Sequence, residues 1–289
     1  MKIVSLIAAP GALVPDLVAS LRNAWGGGDA QWLSPDEAAE FAVEAVPGNV
    51  GEVQAELDGM GVDLNVLPSA GRRKRVLLAD MDSTLIEQEC IDELADMAGV
   101  GARVAEITAR AMNGEIGFEG ALLERVGLLR GLDAGVIGQV LEERITYRAG
   151  GCTLARTMRA HEGALSFLVS GGFTAFAEAV AGALEFDRFR ANTLLVEGGK
   201  LTGDVARPIL GREAKVATLE ELVAELGLSE ADVLAVGDGA NDLGMLGRAG
   251  LGVAMHAKPA VAAEAQCKIN HGDLTALLYL QGYSRDAFA

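Results

Sequence analysis

Two carboxylates one residue apart, Asp80 and Asp82, close the apolar run "VLLAD" and are followed at once by Ser83 and Thr84. Strand side chains alternate between faces, so a continuing strand would bury one of the acids in the core. A strand that ends there can offer both to a crevice at its carboxyl end. Ser170-Gly171-Gly172 follows "LSFLV", "GDGAND" (237–242) follows "VLAV", and Lys215 lies in "GREAKVATLEEL". Gathering Asp80, Asp82, Asp238 and Asp242 is costly, because two such charges 4 Å apart repel by about 4 kcal/mol at an effective dielectric of 20. Either their proton affinities rise or a cation neutralises them. Oxygen donors without His or Cys favour Mg2+ over zinc. The Ser170 hydroxyl and the Gly171 N–H suit phosphate oxygens, and Lys215 adds fixed positive charge. Phosphoryl transfer then gives each group work: a carboxylate such as Asp80 attacks phosphorus, and Asp82 protonates the leaving alkoxide and later activates water. Singly these signals are weak. DxD can be a strand-end turn, Ser-Gly-Gly a plain turn, "GDGAND" a turn with a helix cap, and Lys215 a solvated helix residue.

The elements that must position these groups are readable. From Arg75 onward, "VLLAD", "LSFLVSGG" and "VLAVGDG" are β-rich runs ending in Asp or Ser-Gly, with "LGVAM" and "CKIN" as shorter later strands. This pattern predicts an α/β fold, a doubly wound parallel (Rossmann-like) sheet, over 75–289. From Asp82 to Ser170 the numbering advances by 88, whereas a βαβ crossover needs only ~30 residues. The excess, about 89–147, is rich in helix formers ("CIDELADMAG", "GALLERVGLL") and reads as an inserted helical cap. Residues 1–70 follow a β-α-β-β-α-β order, a ferredoxin-like α+β module. "PSAGRRKR" is the linker, its basic run a solvated one. Every chemical motif lies after Val76, so the module is expected to be dispensable for the chemistry. The opening "IVSLIAAPGALV" resembles a weak signal peptide, but Pro10-Gly11 interrupts it and a strand and helix fit better.

Composition narrows the function classes. The 289 residues carry 24 basic and 41 acidic side chains, net −17, which argues against a general nucleic-acid or acidic-membrane surface. An anionic substrate therefore needs local positive charge or a metal ion. Cys90, Cys152 and Cys267 show no paired spacing, which fits a reducing cytoplasm better than a disulfide framework. His161, His256 and His271 are too scattered to suggest a metal cluster. No apolar run reaches the ~18 residues of a membrane span.

Taken in order, "DMDSTLIEQECIDELADMAG", "VSGGF", Lys215 and "GDGANDLGML" resemble the haloacid dehalogenase superfamily of phosphatases, and within it the phosphoserine phosphatases. The resemblance runs from about Val76 to the C-terminus. It implies that Asp80 is the nucleophile and Asp82 the general acid/base. It further implies Mg2+ on Asp80, Asp238 and the backbone carbonyl of Asp82, and phosphate on Ser170, Gly171 and Lys215. Asn241 would line the site, with Thr84 and Asp242 behind it. In the cap, Glu89 would read the ammonium of phosphoserine and Arg125 its carboxylate, with Met112 and Phe118 as an apolar wall. A zwitterion does need one group of each sign, and Arg grips carboxylates bidentately. On spacing alone, Glu89 and Arg125 could equally be a structural ion pair, and Phe118 and Met112 core residues. "YRAGG" stands where the family has a Pro-Gly turn. The N-terminal module resembles an ACT-type regulatory fold, which implies an amino-acid effector and a homodimer. Two alternatives remain: another small phosphomonoester, or a non-enzymatic sensor or receiver-like switch, against which the cap and Asp82 argue.

Overall fold

A computed structural model describes residues 1–112 and 115–289, with Met112 described through its backbone alone. The chain opens with β1 (Lys2–Ala8), α1 (Pro15–Ala24), β2 (Gln31–Ser34), β3 (Ala38–Val43), α2 (Val50–Asp58) and β4 (Val62–Pro68). The strands form an antiparallel sheet in the order β2-β3-β1-β4, the ferredoxin-like arrangement. Central β1 is apolar on both faces, for two different reasons. Val4, Leu6 and Ala8 pack with Val18 and Leu21 of α1 and Leu57 of α2. Ile7 points the other way, as strand alternation requires, into a cluster shared with Leu77 and Ala79 of the next sheet.

That sheet begins with β5 (Val76–Ala79). After it come α3 (Cys90–Met97), α4 (Gly101–Met112), α5 (Phe118–Gly127), α6 (Val136–Glu143) and α7 (Gly151–Glu162). Next are β6 (Leu165–Phe173), α8 (Thr174–Ala183), β7 (Arg188–Asn192), β8 (Leu194–Glu197), β9 (Lys200–Val205) and α9 (Arg212–Leu226). The chain finishes with β10 (Val233–Gly237), α10 (Leu243–Arg248), β11 (Leu251–Met255), α11 (Pro259–Glu264), β12 (Cys267–Ile269) and α12 (Ala276–Leu280). The sheet order is β12-β11-β10-β5-β6-β7, with every neighbouring pair parallel. Helices cover both faces, so β5, β10 and β11 are buried along their whole length. Leu77 and Ala79 face one apolar cluster, while Val76 and Leu78 face the other with Leu219 and Leu222 of α9. From β5 the chain goes to β6 on one side and later returns to β10 on the other. The carboxyl end of β5 therefore lies at the topological switch point, where open α/β sheets bind ligands.

Helices α3 to α6 fall between β5 and β6, where the helical insertion was expected. The β8–β9 hairpin was not expected. Its turn, Gly198-Gly199, has both residues at positive φ (57° and 78°), the requirement of a tight two-residue hairpin. The hairpin also holds the cap: the Gly131 N–H donates to Leu201 O at 2.8 Å and the Ala134 N–H to Gly199 O at 2.8 Å.

The two sheets are joined by a polar seam. Asp63 of β4 accepts the backbone N–H groups of Asn270 (2.7 Å), His271 (3.0 Å) and Gly272 (3.0 Å). The Asn65 side chain pairs with both backbone groups of Lys268 at 2.9 Å. Arg72 links Glu40 to the carbonyls of Tyr279 and Leu280. His271, read above as isolated, stands beside Asp58 and Asp63, but Asp63 is already engaged by those three N–H groups and the cluster serves as a docking joint. Among the described residues no helix is long and apolar enough to cross a membrane.

Candidate active site

Strand β5 continues for one residue beyond Ala79, with the Asp80 N–H on Val236 O at 3.0 Å, and then turns sharply. The N–H groups of Thr84, Leu85 and Ile86 converge on Met81 O at 3.2, 2.8 and 3.1 Å, and Ser83 is left-handed (φ 55°). The turn breaks strand alternation and sends the two acids to different partners. The buried Asp80 carboxylate meets Lys215 Nζ at 2.7 Å and accepts the Met81 N–H at 2.8 Å. Asp82 accepts the Cys90 N–H at 3.0 Å. Its other oxygen lies against Gly172, where a Cβ would come within 2.5 Å of it.

Lys215, on α9, is almost fully buried and also donates to Asp242 at 2.5 Å. The second Asp242 oxygen accepts the Gly239 N–H at 2.9 Å. A Cβ on Gly237 would sit 2.4 Å from the Asp242 carboxyl carbon, so the first Gly of "GDGAND" makes room for that side chain. Thr84 Oγ1 donates to Asp238 at 3.0 Å.

Burial, reinforced by Asp242, holds the Asp80 carboxyl well above its ordinary range, with Lys215 opposing. Burial and Asp242 likewise push Asp238 up to about 6. Asp82 is raised by burial, against the Cys90 hydrogen bonds. Lys215 is held above its usual range because Asp242 and Asp80 together outweigh the burial that opposes its charge. The oxygens of Asp80, Asp238 and Asp242 lie within 4.8 Å of one another, a donor set for a hard cation. Asp242 is committed to Lys215 and the Gly239 N–H, which leaves Asp80 and Asp238 to offer oxygen. The Asp82 carboxylate is outside this group.

The profile of the haloacid dehalogenase-like hydrolases matches residues 77–247. The chain belongs to this family. A probable phosphoserine phosphatase of Schizosaccharomyces pombe is 46% identical over 225 residues, 76% of this chain and 75% of that one. The phosphoserine phosphatase of Haemophilus influenzae is 44% identical over 205 residues, 71% of this chain and 65% of that one. The unliganded structure of a probable phosphoserine phosphatase from Vibrio cholerae has a TM-score of 0.80 at 31% identity, covering 99% of this chain and 88% of that one. The chain is thus an enzyme, a phosphatase by kinship.

In this hydrolase the Ser170 hydroxyl accepts the Gly172 N–H at 2.8 Å, and Asn192 Nδ2 holds the Gly171 carbonyl at 2.9 Å. Asn241 folds over Gly239 on the opposite rim. Phe118, at the start of α5, lies over Gly171 and Gly211, where added Cβ atoms would stand 3.1 and 3.0 Å from its ring. A side chain expected on the cap wall thus reaches the Ser170–Gly172 turn. The Met112 side chain, expected beside it, lies outside the described residues. Glu89, just ahead of α3, accepts the Ser83 hydroxyl at 2.9 Å; its side chain keeps an open face to solvent, while partial desolvation of its inner side and the Asp82 charge push it up to about 7. Arg125 is half-buried, lowered by that burial and supported by the charges of Asp92, Glu89 and Asp82. Its hydrogen bonds go to Ala121 O and Thr108 Oγ1. Glu89 and Arg125 therefore feel each other's charge without forming the structural ion pair that spacing alone allowed. Sequence reasoning missed Asn192, a buried amide at a strand end with no local signal. It also missed Arg148, visible only as a departure in "YRAGG".

Proposed function

We propose that this hydrolase cleaves O-phosphoserine to serine and phosphate with Mg2+ through an aspartyl-phosphate on Asp80, as the last step of serine biosynthesis. The observation that carries the reading is the cap's acid and base, Glu89 and Arg125, unpaired with each other beside the Asp80 crevice. A zwitterionic amino acid satisfies both, whereas a sugar phosphate satisfies neither. The names of the relatives above support the same substrate.

Lys215 favours the ionised form of Asp80, the one that attacks phosphorus, against the burial that opposes it, and the serine oxygen leaves with a proton from Asp82, whose raised proton affinity suits the task. Asp82 then takes a proton from the water that opens the acyl phosphate. Ser170 and the Gly171 N–H orient the phosphoryl oxygens, and Phe118 closes over them. Mg2+ on Asp80, Asp238 and the Asp82 carbonyl supplies charge neutralisation when bound. The free Cys90, Cys152 and Cys267 support a cytoplasmic setting. The ferredoxin-like module supports an ACT-like sensing role and a homodimer by fold analogy.

The test is kcat/KM for phosphoserine, phosphoglycerate and a simple alkyl phosphate. Truncating one partner of a desolvated charge pair costs roughly 2–5 kcal/mol, so Arg125→Ala should cripple phosphoserine and spare the alkyl phosphate. Glu89→Gln should penalise only the ammonium-bearing substrate, and Asp80→Asn should end turnover with the fold intact. Equal losses on all three substrates in both cap variants would mean that these residues only hold the cap together.

A further inference from the structure

The segment by which the cap returns to the core is zipped onto the loop by which the chain enters it. The Glu87 N–H donates to Thr146 O at 3.0 Å, the Thr146 N–H to Gln88 Oε1 at 2.9 Å, and the Arg148 N–H to Leu85 O at 2.9 Å, with Ile86 bridging Tyr147. The Arg148 side chain then does what the zipper cannot. Its Nε donates to Thr84 O and its Nη2 to Ser83 O, both at 3.0 Å. The hydroxyls of those same two residues hold Asp238 and Glu89. Ser83 sits in the left-handed region, where a serine needs support from its surroundings. A rigid fork of donors fits two successive carbonyls as a flexible ammonium would not. The strap is braced from behind by the Leu274 N–H on Ala149 O and by Gly150 against the Thr275 backbone.

We propose that Arg148 is a positioning residue for the reaction, one that locks the Ser83–Thr84 turn so that Asp238 and Glu89 face the crevice together. The proposal rests on the phosphoserine reading for its substrate but not for the geometry of the turn. If Arg148 merely tied the cap to the core, its loss would lower stability without changing metal requirement or the dynamics of the turn.

The experiment compares full-length wild type, Arg148→Met and Arg148→Lys by turnover, Mg2+ titration and amide hydrogen exchange. In Arg148→Met, kcat/KM for phosphoserine should fall by about ten- to a hundredfold and half-saturating Mg2+ should rise several-fold. The amides of Ser83, Leu85 and Ile86 should exchange at least about tenfold faster, with partial recovery in Arg148→Lys. Wild-type exchange at these amides with an unchanged Mg2+ requirement overturns the proposal, whatever the melting temperature. Should Arg148→Met fail to fold, the same readouts on Arg148→Lys decide, and wild-type values there also overturn it. An inactive wild-type chain would defeat the phosphoserine reading, while the exchange data would still judge Arg148.

Discussion

Replacing Lys215 by Met tests the electrostatics of the crevice most directly. The lysine side chain is 2% exposed and meets Asp80 at 2.7 Å and Asp242 at 2.5 Å, the latter fully buried. At an effective dielectric near 20 each contact carries roughly 6 kcal/mol of gross attraction. Desolvation of the ammonium and Asp80–Asp242 repulsion offset most of it. What the variant leaves is two buried carboxylates without a counter-ion, and breaking such a group typically costs about 3–5 kcal/mol. For a chain of this size that is a fall in Tm of roughly 5–15 °C. The pH dependence separates this cause from lost packing. Without Lys215 the folded-state pKa of Asp80 rises further above its unfolded value, so the folded variant takes up protons more readily. Its deficit relative to wild type should be largest near pH 8 and shrink as pH falls towards 5. Thermal melts of both metal-free proteins in chelator from pH 5 to 8 measure the difference. A deficit below about 1 kcal/mol, or one independent of pH, would refute the reasoning.

With Asp238 at about 6, protons would compete with the Mg2+ proposed to bind there. Half-saturating Mg2+ should therefore rise roughly fourfold from pH 7.5 to 5.5, and a flat profile would contradict the assignment. Glu89 at about 7 is ionised above that pH, so KM for phosphoserine should climb as pH falls from 8 to 6, and Glu89→Gln should abolish that dependence. The same raised value stabilises the ligand-free fold as pH drops through 7, and equal pH slopes for wild type and Glu89→Gln in chemical denaturation would count against it. A chain beginning at Ser69 keeps every catalytic group but loses the apolar cover of Ile7, Leu33, Ala38 and Leu67, which belong to the main cluster. It should melt about 10 °C or more below the full chain, and an unchanged midpoint would show that the module is separable.

The kinship was legible because residue type and order carry it. Strand-end acids, a Ser-Gly-Gly turn and a Gly-rich turn needed only a parallel sheet to converge. The ferredoxin-like order was legible from alternating apolar runs. Where Asp82 points was not, because it depends on three N–H groups meeting at Met81 O and on a left-handed Ser83. Whether Glu89 and Arg125 touch depends on how α3 and α5 each pack against α4, which spacing does not encode. The β8–β9 hairpin could have been found, since "LLVEGGKLTG" places Gly-Gly between two β-capable runs. The cluster shared by the two sheets had almost no signal, because Ile7 looks like any other apolar strand residue until its neighbours are known. Dispensability of the module for chemistry was a statement about motifs, and the packing adds a dependence that motifs do not record.

The seam at Asp63 also orders the birth of the molecule. Its three donors lie 207 to 209 residues downstream, and Arg72 waits as long for the carbonyls of Tyr279 and Leu280. During synthesis at about 5–20 residues per second, the Asp63 side chain waits roughly 10–40 s for these partners. Contacts of such long range close late and slowly, so the earliest-made strands are the last to be sealed. A chain cut short before Asn270 therefore carries its defect near its beginning, where the Asp63 carboxylate is left without its three donors.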